Sequence, residues 1–350
     1  MEKVKITANH GWPLAGNRPL TDFLEKSVAG GKVAHSYIFL GPRDLGKTAA
    51  AVFFAAALLC QKQKPGIFSF PCGTCASCRE LSNRSTEAGG WEIAHGDFHL
   101  LKKEPDKKNI SIEQVREFIR ILEMSSFLNS YKVGIIKEAD ELSESAANAL
   151  LKTLEEPRPK VVIILTATRE EKIPATIVSR SQVLRFQPVS ASVIYDYLVD
   201  VCRCPRTQAK EISRLGLGRP ALAKKFFDDQ EFYQNYLRQA GAFLDFFRKN
   251  LNERVALVDE IMAGADEEKT ETALKVLNIW QGLARDLLLL SANNGDLIQH
   301  EPLRDKLRNL PSAVTADVCL KIVAALKNGE KFIQANVNPK LVLENIAINV

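Results

Sequence analysis

One short loop of the sequence has the residue types that bind nucleotide phosphates. The pattern G-x-x-x-x-G-K-[ST] is matched at every fixed position by GPRDLGKT, residues 41–48. Gly41 and Gly46 let backbone amides come close to phosphate oxygens. Lys47 is expected to bind the β- and γ-phosphates, and the Thr48 hydroxyl to coordinate Mg²⁺. The loop therefore predicts an ATP and Mg²⁺ site, with an inherited but empty loop as the alternative.

The acidic partner that such a loop needs is incomplete. A nucleoside triphosphatase of this type uses an acid at the end of a second strand to hold Mg²⁺ and polarise water. The candidate strand is Val133–Ile136, and the next two residues are Lys137 and Glu138. A positive charge at the place of the metal-binding carboxylate repels a divalent ion, so we expect little hydrolysis by this chain. Glu138 is either a water-orienting base or an ordinary capping or solvated carboxylate.

Four cysteines crowd into 19 residues, with the spacing Cys60-x11-Cys72-x2-Cys75-x2-Cys78. Two C-x-x-C steps in a loop that contains Gly and Pro can present sulfur atoms about 2.3 Å from one Zn²⁺ ion. Four protein ligands leave no open coordination position, so the predicted Zn²⁺ is structural. The chain has seven cysteines, and this odd number argues against a disulfide framework.

Elements that would position these residues follow from the apolar pattern. Short, continuous apolar runs predict buried strands of a parallel sheet at Ser36–Leu40, Val133–Ile136 and Val161–Thr166. Helical patterns lie between them, at residues 48–59, 112–122 and 143–154. Strands that alternate with helices predict an α/β architecture for the first half of the chain.

The second half has a different character. The strand pattern stops near Pro188, and residues 190–228 predict three short helices. Longer helices are predicted at residues 232–251, 254–263, 269–291, 315–328 and 339–348. An α/β part followed by an all-helical part is therefore expected.

Composition excludes several classes of protein. Of the 350 residues, 46% are hydrophobic and 25% charged, which is typical of a soluble globular chain and not of a disordered or fibrous one. The longest apolar run, residues 49–59, is shorter than the roughly 20 residues that span a bilayer. Residues 1–5 show no secretory signal, so we expect a cytoplasmic protein without membrane contact. The net charge of +5 permits nucleic-acid contact without indicating it.

Together, these motifs resemble the bacterial DNA polymerase III clamp loader, a branch of the AAA+ superfamily. AHSYIFL at 34–40 leads into the phosphate loop, and the four-cysteine segment follows the next helix. The most specific signature is SAANALLKTLEEP at 145–157. Further similarities, LTAT at 165–168, IVSRS at 177–181 and LGRPAL at 217–222, extend the resemblance along nearly the whole chain. Ser181 stands where the family has a cysteine.

The resemblance implies a fold and a set of domains. The fold is an α/β P-loop (AAA+) domain with a parallel sheet and an inserted zinc module, followed by a small helical lid and an all-α collar domain. We place the first domain at 1–188 with the zinc module at 60–78, the lid at 189–229 and the collar, which serves oligomerisation, at 230–350.

The same resemblance assigns roles to three polar residues. Thr168 matches a sensor at the end of a strand, and Arg219 a second sensor that opens a lid helix; each is also explained by an ordinary structural role. Arg180 matches the family's arginine finger, which enters the ATP site of the adjacent gamma/tau subunit and contacts the γ-phosphate. A guanidinium supplied by a neighbour stabilises charge on phosphoryl oxygens. A local salt bridge is the alternative for Arg180.

Within this family the sequence is more similar to the delta-prime branch than to gamma/tau. The similarity lies in FHL at 98–100 with IEQVRE at 112–117, WQGLARDL at 280–287 and NVNPKL at 336–341. Lys137, in place of the metal-binding acid, also favours the delta-prime branch, because delta-prime subunits often lack their own ATPase activity. The resemblance implies a stator that assembles with gamma/tau and delta subunits and helps to load the sliding clamp onto primed DNA during replication.

Two other functions stay open on the sequence alone. The first is a catalytically active, gamma/tau-like AAA+ ATPase that works without the usual aspartate. The second is a zinc-dependent nucleic-acid-binding protein, with basic pairs at Lys102–Lys103, Lys107–Lys108 and Lys224–Lys225. No cluster of metal-binding carboxylates typical of a polymerase or nuclease is evident, so we expect no DNA synthesis by the chain itself.

Overall fold

The computed structural model describes residues 11–64, 66–82, 84–85, 92–93, 95–104, 107, 109–126, 131–263, 269–310 and 314–349. These residues form two compact units. The first contains the described residues up to Val193 together with Arg219–Ala221, and the second contains Ile194–Gly218 and the described residues from Leu222 onward. The division of the helical part into a lid at 189–229 and a collar at 230–350 stays a prediction.

A five-stranded sheet is the centre of the first unit. Its strands are all parallel and lie in the order β4-β5-β6-β1-β7. A separate antiparallel pair consists of β2 and β3. The strands are β1 (Ser36–Leu40), β2 (Arg84–Ser85), β3 (Glu92–Ile93), β4 (Phe98–Leu101), β5 (Lys132–Ile136), β6 (Val161–Ala167) and β7 (Gln182–Arg185). The predicted parallel α/β architecture is confirmed.

Helices cover both faces of this sheet. Side chains alternate along β1, so that Tyr37 and Phe39 pack into one apolar cluster with α2, while Ile38 packs into another with α4 and α5. The helices of the first unit are α1 (Arg18–Ala29), α2 (Lys47–Leu59), α3 (Ala76–Ser82), α4 (Ile112–Glu123), α5 (Glu144–Glu155) and α6 (Ala175–Val178). Burial on both faces explains why the central strands are continuous apolar runs.

The starts of α4 and α5 follow from local capping. The Ser143 hydroxyl accepts a hydrogen bond from the Ala146 amide at 3.2 Å, as predicted for the start of this helix. Ser111 and Gln114 form a reciprocal capping box in front of α4. These caps fix where the two helices begin in the segments that follow strands β4 and β5.

After β7 the described chain is helical. The helices are α7 (Ala191–Asp196), α8 (Arg206–Leu215), α9 (Pro220–Asp228), α10 (Gln230–Phe246), α11 (Leu251–Met262), α12 (Lys269–Ser291), α13 (Arg304–Arg308), α14 (Ala316–Gln334) and α15 (Pro339–Asn349). None of the helices in the described ranges is long and apolar enough to cross a membrane. Residues 1–5 and Lys108 lie outside the described residues.

Two predicted helix ends in this part are wrong. The helix predicted at residues 315–328 continues to Gln334 as α14. The pattern predicts a helix to residue 251, whereas α10 ends at Phe246 and α11 already begins at Leu251. The reason is Asn250. Its side-chain oxygen accepts a hydrogen bond from the backbone amide of Glu253 at 3.0 Å, and its backbone amide donates to the Glu253 carboxylate at 3.0 Å. Such a capping box stabilises a new helix start.

Candidate functional site

The phosphate loop lies between the carboxyl end of β1 and the start of α2. Gly41 has φ 145° and Gly46 φ 91°, which are conformations that favour glycine. A side chain on Gly41 would come within 2.5 Å of the Phe186 carbonyl. Parallel strands direct their carboxyl ends to one edge, where ligands of open α/β sheets bind. The loop therefore has the position and backbone form of a phosphate cradle.

Lys47 points back into this loop. Its ammonium donates to the Gly41 carbonyl at 2.5 Å and to the Pro42 carbonyl at 2.6 Å. The side chain is buried, and burial lowers the pKa of Lys47 to about 8, although the Asp140 carboxylate acts in the opposite direction. An ammonium held over loop carbonyls can transfer to phosphate oxygens when these are present.

The acidic edge of the loop begins at Glu138. This residue has φ 55°, a left-handed conformation that costs a non-glycine residue about 1–3 kcal/mol. Its amide donates to the buried Thr166 hydroxyl at 3.0 Å, which holds the turn. The Glu138 carboxylate lies 3.9 Å from the Arg43 guanidinium of the phosphate loop. Glu138 thus borders the loop, as predicted, but it is drawn toward an arginine.

Lys137 occupies the first position after β5, and its amide donates to the Leu101 carbonyl at 2.9 Å. The side chain is half-buried, and within the described ranges its ammonium has no ion-pair partner. The place of the metal-binding carboxylate is therefore held by an unneutralised cation. Weak hydrolysis by this chain stays a prediction.

Thr168 follows the end of β6 and contacts a carboxylate. Its hydroxyl and its amide both donate to Oδ2 of Asp140, the amide at 3.3 Å. The other carboxylate oxygen, Oδ1, is buried without a hydrogen-bond partner among the described residues. The predicted sensor thus lies beside the loop, tied to an acid two residues beyond Glu138.

Arg219 is brought to the same edge by the start of α9. The Ala221 amide donates to the carbonyl of Asp44, in the phosphate loop, at 3.0 Å. Arg219 precedes this contact by two residues and is half-buried. Gly41, Gly46, Lys47, Thr48, Glu138, Thr168 and Arg219 therefore gather around one edge of the sheet.

Arg180 lies elsewhere, in the turn between α6 and β7. Its guanidinium forms an ion pair with Glu155, at the end of α5, with Nη2 2.7 Å from Oε1. Nη1 donates to the Thr176 carbonyl at 3.0 Å. The two side chains of the pair are 36% and 49% exposed. Arg180 is thus both surface-accessible and paired locally.

A hydrogen bond shows at which end of the sheet Arg180 lies. The Ser181 hydroxyl lies 2.8 Å from that of Ser36, the first residue of β1. Gly41 follows the last residue of the same strand. Five strand steps at about 3.3 Å each separate the two levels by about 16 Å. Arg180 therefore lies at the amino end of the sheet, away from the phosphate loop of its own chain.

The four cysteines converge beyond the end of α2. The sulfur atoms of Cys60, Cys72, Cys75 and Cys78 lie within 4.8 Å of one another. The Cys75 amide donates to the Cys72 sulfur at 3.3 Å, and the Cys78 amide to the Cys75 sulfur at 3.4 Å. A hydrogen bond with Cys78 lowers the pKa of Cys60 to about 4. The same hydrogen bond raises the pKa of Cys78, so the fit to a metal ion comes from the convergence of four sulfur atoms, which are ligands of structural metal sites.

One lysine of each basic pair forms an ion pair with a nearby carboxylate. Lys103 contacts Glu141 at 2.8 Å, Lys107 contacts Glu104 at 3.3 Å, and Lys224 contacts Asp228 at 2.5 Å. Lys225 lies 3.9 Å from the centre of the Phe232 ring. Cations engaged in this way give little support to a nucleic-acid-binding surface at these positions.

Sequence reasoning missed two acids of these sites, Asp140 and Glu155. Asp140 accepts a hydrogen bond from Thr168, and Glu155 forms an ion pair with Arg180. Each acid is separated from its partner by more than 20 residues. The sequence indicates these acids by position alone. Asp140 lies in the short segment after β5, and Glu155 belongs to the 145–157 signature.

Comparison with known proteins decides the family. A family model described as "DNA polymerase III, delta subunit" matches residues 16–190, which is 175 of the 350 residues. The delta-prime subunit of DNA polymerase III from Bacillus subtilis is 25% identical over 327 residues, 93% of either chain. That from Haemophilus influenzae is 28% identical over 257 residues, 73% of this chain and 72% of that protein. The chain belongs to the family of DNA polymerase III delta-prime subunits.

The tau subunits among the relatives match only in part. The tau subunit of DNA polymerase III from Bacillus subtilis is 32% identical over 198 residues, which is 57% of this chain. The match covers about a third, 32%, of the tau protein. A solved structure of a gamma-subunit-related protein from Thermotoga maritima aligns with 94% of this chain and 96% of its own, with TM-score 0.48 and 18% identity. The family resemblance seen in the sequence is confirmed, and the Bacillus subtilis delta-prime subunit is matched over 93% of either chain.

Proposed function

We propose that this delta-prime chain is a stator of a DNA polymerase III clamp loader. It assembles with gamma/tau and delta subunits, and it supplies Arg180 to the ATP site of an adjacent gamma/tau subunit. The loader so completed places the sliding clamp on primed DNA. The chain itself turns over little or no ATP and synthesises no DNA.

The observation that carries this proposal is the separation of Arg180 from the phosphate loop. The two lie at opposite ends of β1, about 16 Å apart along the strand, and Ser36 and Ser181 fix that distance. An arginine cannot serve the loop of its own chain across this length. Because the guanidinium is partly exposed, it is accessible to the phosphates of a neighbouring subunit.

The proposal is tested by ATP turnover with and without the chain. The purified chain alone is expected to hydrolyse ATP at the background rate, because Lys137 replaces the metal-binding acid. Adding it to gamma/tau, delta, clamp and primed DNA is expected to raise turnover by at least tenfold. Substantial turnover by the chain alone would instead support a gamma/tau-like ATPase, the reading that its complete phosphate loop favours.

Lys137 offers a second test, on nucleotide binding. The phosphate loop is proposed to bind ATP with little help from Mg²⁺, because a cation at about 4 Å opposes a charge by about 4 kcal/mol at an effective dielectric of 20. Lys137→Asp is expected to make ATP binding depend on Mg²⁺, with the dissociation constant falling at least tenfold when Mg²⁺ is added. A fluorescent ATP analogue measures this.

Lys137→Met is the matched control for that test. It removes the positive charge without supplying an oxygen ligand, so its gain with Mg²⁺ should be smaller than that of Lys137→Asp. If Mg²⁺ tightens ATP binding equally in the wild type and in Lys137→Asp, then Lys137 does not oppose the metal.

For the cysteine cluster we propose a structural Zn²⁺ ion. Four sulfur ligands suit a closed tetrahedral site, and the mutual distances within 4.8 Å are compatible with Zn–S bonds of about 2.3 Å. Zinc supplies no reaction at such a site. The ion would hold the segment that follows α2 in place through four sulfur ligands, those of Cys60, Cys72, Cys75 and Cys78.

A further inference from the structure

Two helix ends hold the guanidinium of Arg180 in one orientation. Glu155 ends α5, and Thr176 lies in α6. Nη2 pairs with the Glu155 carboxylate at 2.7 Å, and Nη1 donates to the Thr176 carbonyl at 3.0 Å. A longer contact of 3.4 Å joins Nη1 to the Ser179 hydroxyl. Contacts within the same chain therefore hold one side of the Arg180 guanidinium.

These contacts leave part of the guanidinium available. A guanidinium has five N–H donors. Nη1 makes the two hydrogen bonds, and Nη2 forms the ion pair. Nε has no contact of this kind within the described ranges, so Arg180 keeps N–H donors for a phosphate. Because the Arg180 side chain is 36% exposed, these donors are open to a ligand brought by a neighbouring molecule.

We propose that Glu155 is a positioning residue for Arg180. Its carboxylate orients the guanidinium at the rim of the unit before a neighbour's nucleotide arrives, so that the remaining donors are preorganised for phosphate oxygens. Misplacement of a charge-stabilising group lowers a rate even when the group is present. This inference rests on the proposed function, since it needs Arg180 to act on a neighbour.

The neighbouring acid Glu156 provides a matched control. It is the next residue, is exposed as Glu155 is, and has no ion-pair partner within the described ranges. Removing either carboxylate changes the net charge of the same helix end by the same amount. A difference between the two variants therefore reports the contact with Arg180 and not the local charge.

The experiment is a double-mutant cycle in a loader reconstituted with gamma/tau, delta, clamp and primed DNA. Glu155→Ala is expected to lower ATP turnover about three- to tenfold, somewhat more than an exposed ion pair alone contributes. Glu155→Gln, which keeps an oxygen that can accept from Nη2, is expected to restore most of the turnover, and Glu156→Ala to leave it unchanged. With Arg180→Ala present, Glu155→Ala is expected to have no further effect.

The results separate this inference from the function on which it rests. If Arg180→Ala lowers turnover but Glu155→Ala does not, or if the two losses multiply, then Glu155 does not act through Arg180 and the inference is overturned. If Arg180→Ala itself leaves turnover unchanged, the proposed function fails, and the inference fails with it. Melting temperatures of the isolated variants, expected to match the wild type within a few degrees, show whether a loss is due to unfolding.

Discussion

Replacing Arg180 by alanine is expected to lower ATP turnover at the gamma/tau site that we propose it serves by about 10³- to 10⁵-fold, the range found for arginine fingers. The reason is that a guanidinium supplied by the neighbour stabilises charge on the transferred phosphoryl group. Lys47→Ala, which removes the lysine of this chain's own phosphate loop, is expected to change turnover less than twofold. Steady-state turnover of the reconstituted loader on primed DNA measures both.

Arg185→Ala is the matched control for Arg180→Ala. Arg185 is also an exposed arginine, lies five residues further along in β7, and forms an ion pair with Glu170. Its removal is expected to have no effect, because nothing places it toward a neighbour's nucleotide. The opposite pattern, a damaging Lys47→Ala and a harmless Arg180→Ala, would mean that the phosphate loop of this chain is a working ATP site.

The second large effect is expected at the cysteine cluster. Cys78 is fully buried, and Cys78→Ser removes one of four proposed zinc ligands. We expect bound zinc to fall from about one equivalent per chain to nearly none, because structural zinc sites require their full ligand set. Zinc binding supplies about 10–16 kcal/mol in small zinc-finger peptides, so the segment 60–82 should also become sensitive to proteolysis. Atomic absorption and limited proteolysis measure these changes.

Cys202→Ser controls for the loss of a thiol. Cys202 is half-buried and lies outside the cluster, so this variant should keep its zinc and its resistance to protease. A strong chelator added to the wild type should reproduce the Cys78→Ser result. Wild-type protein purified without zinc, or Cys78→Ser with a full equivalent, would contradict the proposed site.

The central elements could be predicted because their burial leaves a clear pattern. Strands β1 and β6 are buried on both faces and appear in the sequence as uninterrupted apolar runs. The edge strands β4 and β7 were missed. In β7, one of the four residues is buried and two, including Arg185, are exposed, because an edge strand has a neighbour on one side only. Such a strand carries too few apolar residues to be distinguished from a loop.

The candidate sites were predictable as residue types but not as pairs. The loop 41–48 and the four cysteines are local patterns, so their spacing alone indicates their chemistry. The partners of Thr168 and Arg180 are not local, because Asp140 and Glu155 reach them only after the sheet and helices have assembled. No periodicity in one sequence encodes such a contact.

The placement of Arg180 and the phosphate loop at opposite ends of β1 also gives the molecule a direction. In the proposed function, one end offers a donor for a neighbour's phosphates, and the other has a phosphate cradle of its own. Two copies related by a two-fold axis bury the same patch on each side, whereas donor-to-cradle contact joins unlike patches, which is heterologous association. Successive contacts of this kind all run in one direction, and they form a ring when the rotation between neighbours closes. A subunit with a functional arginine donor but a phosphate loop that hydrolyses little ATP then suits a position in the assembly where its own phosphate loop is not required.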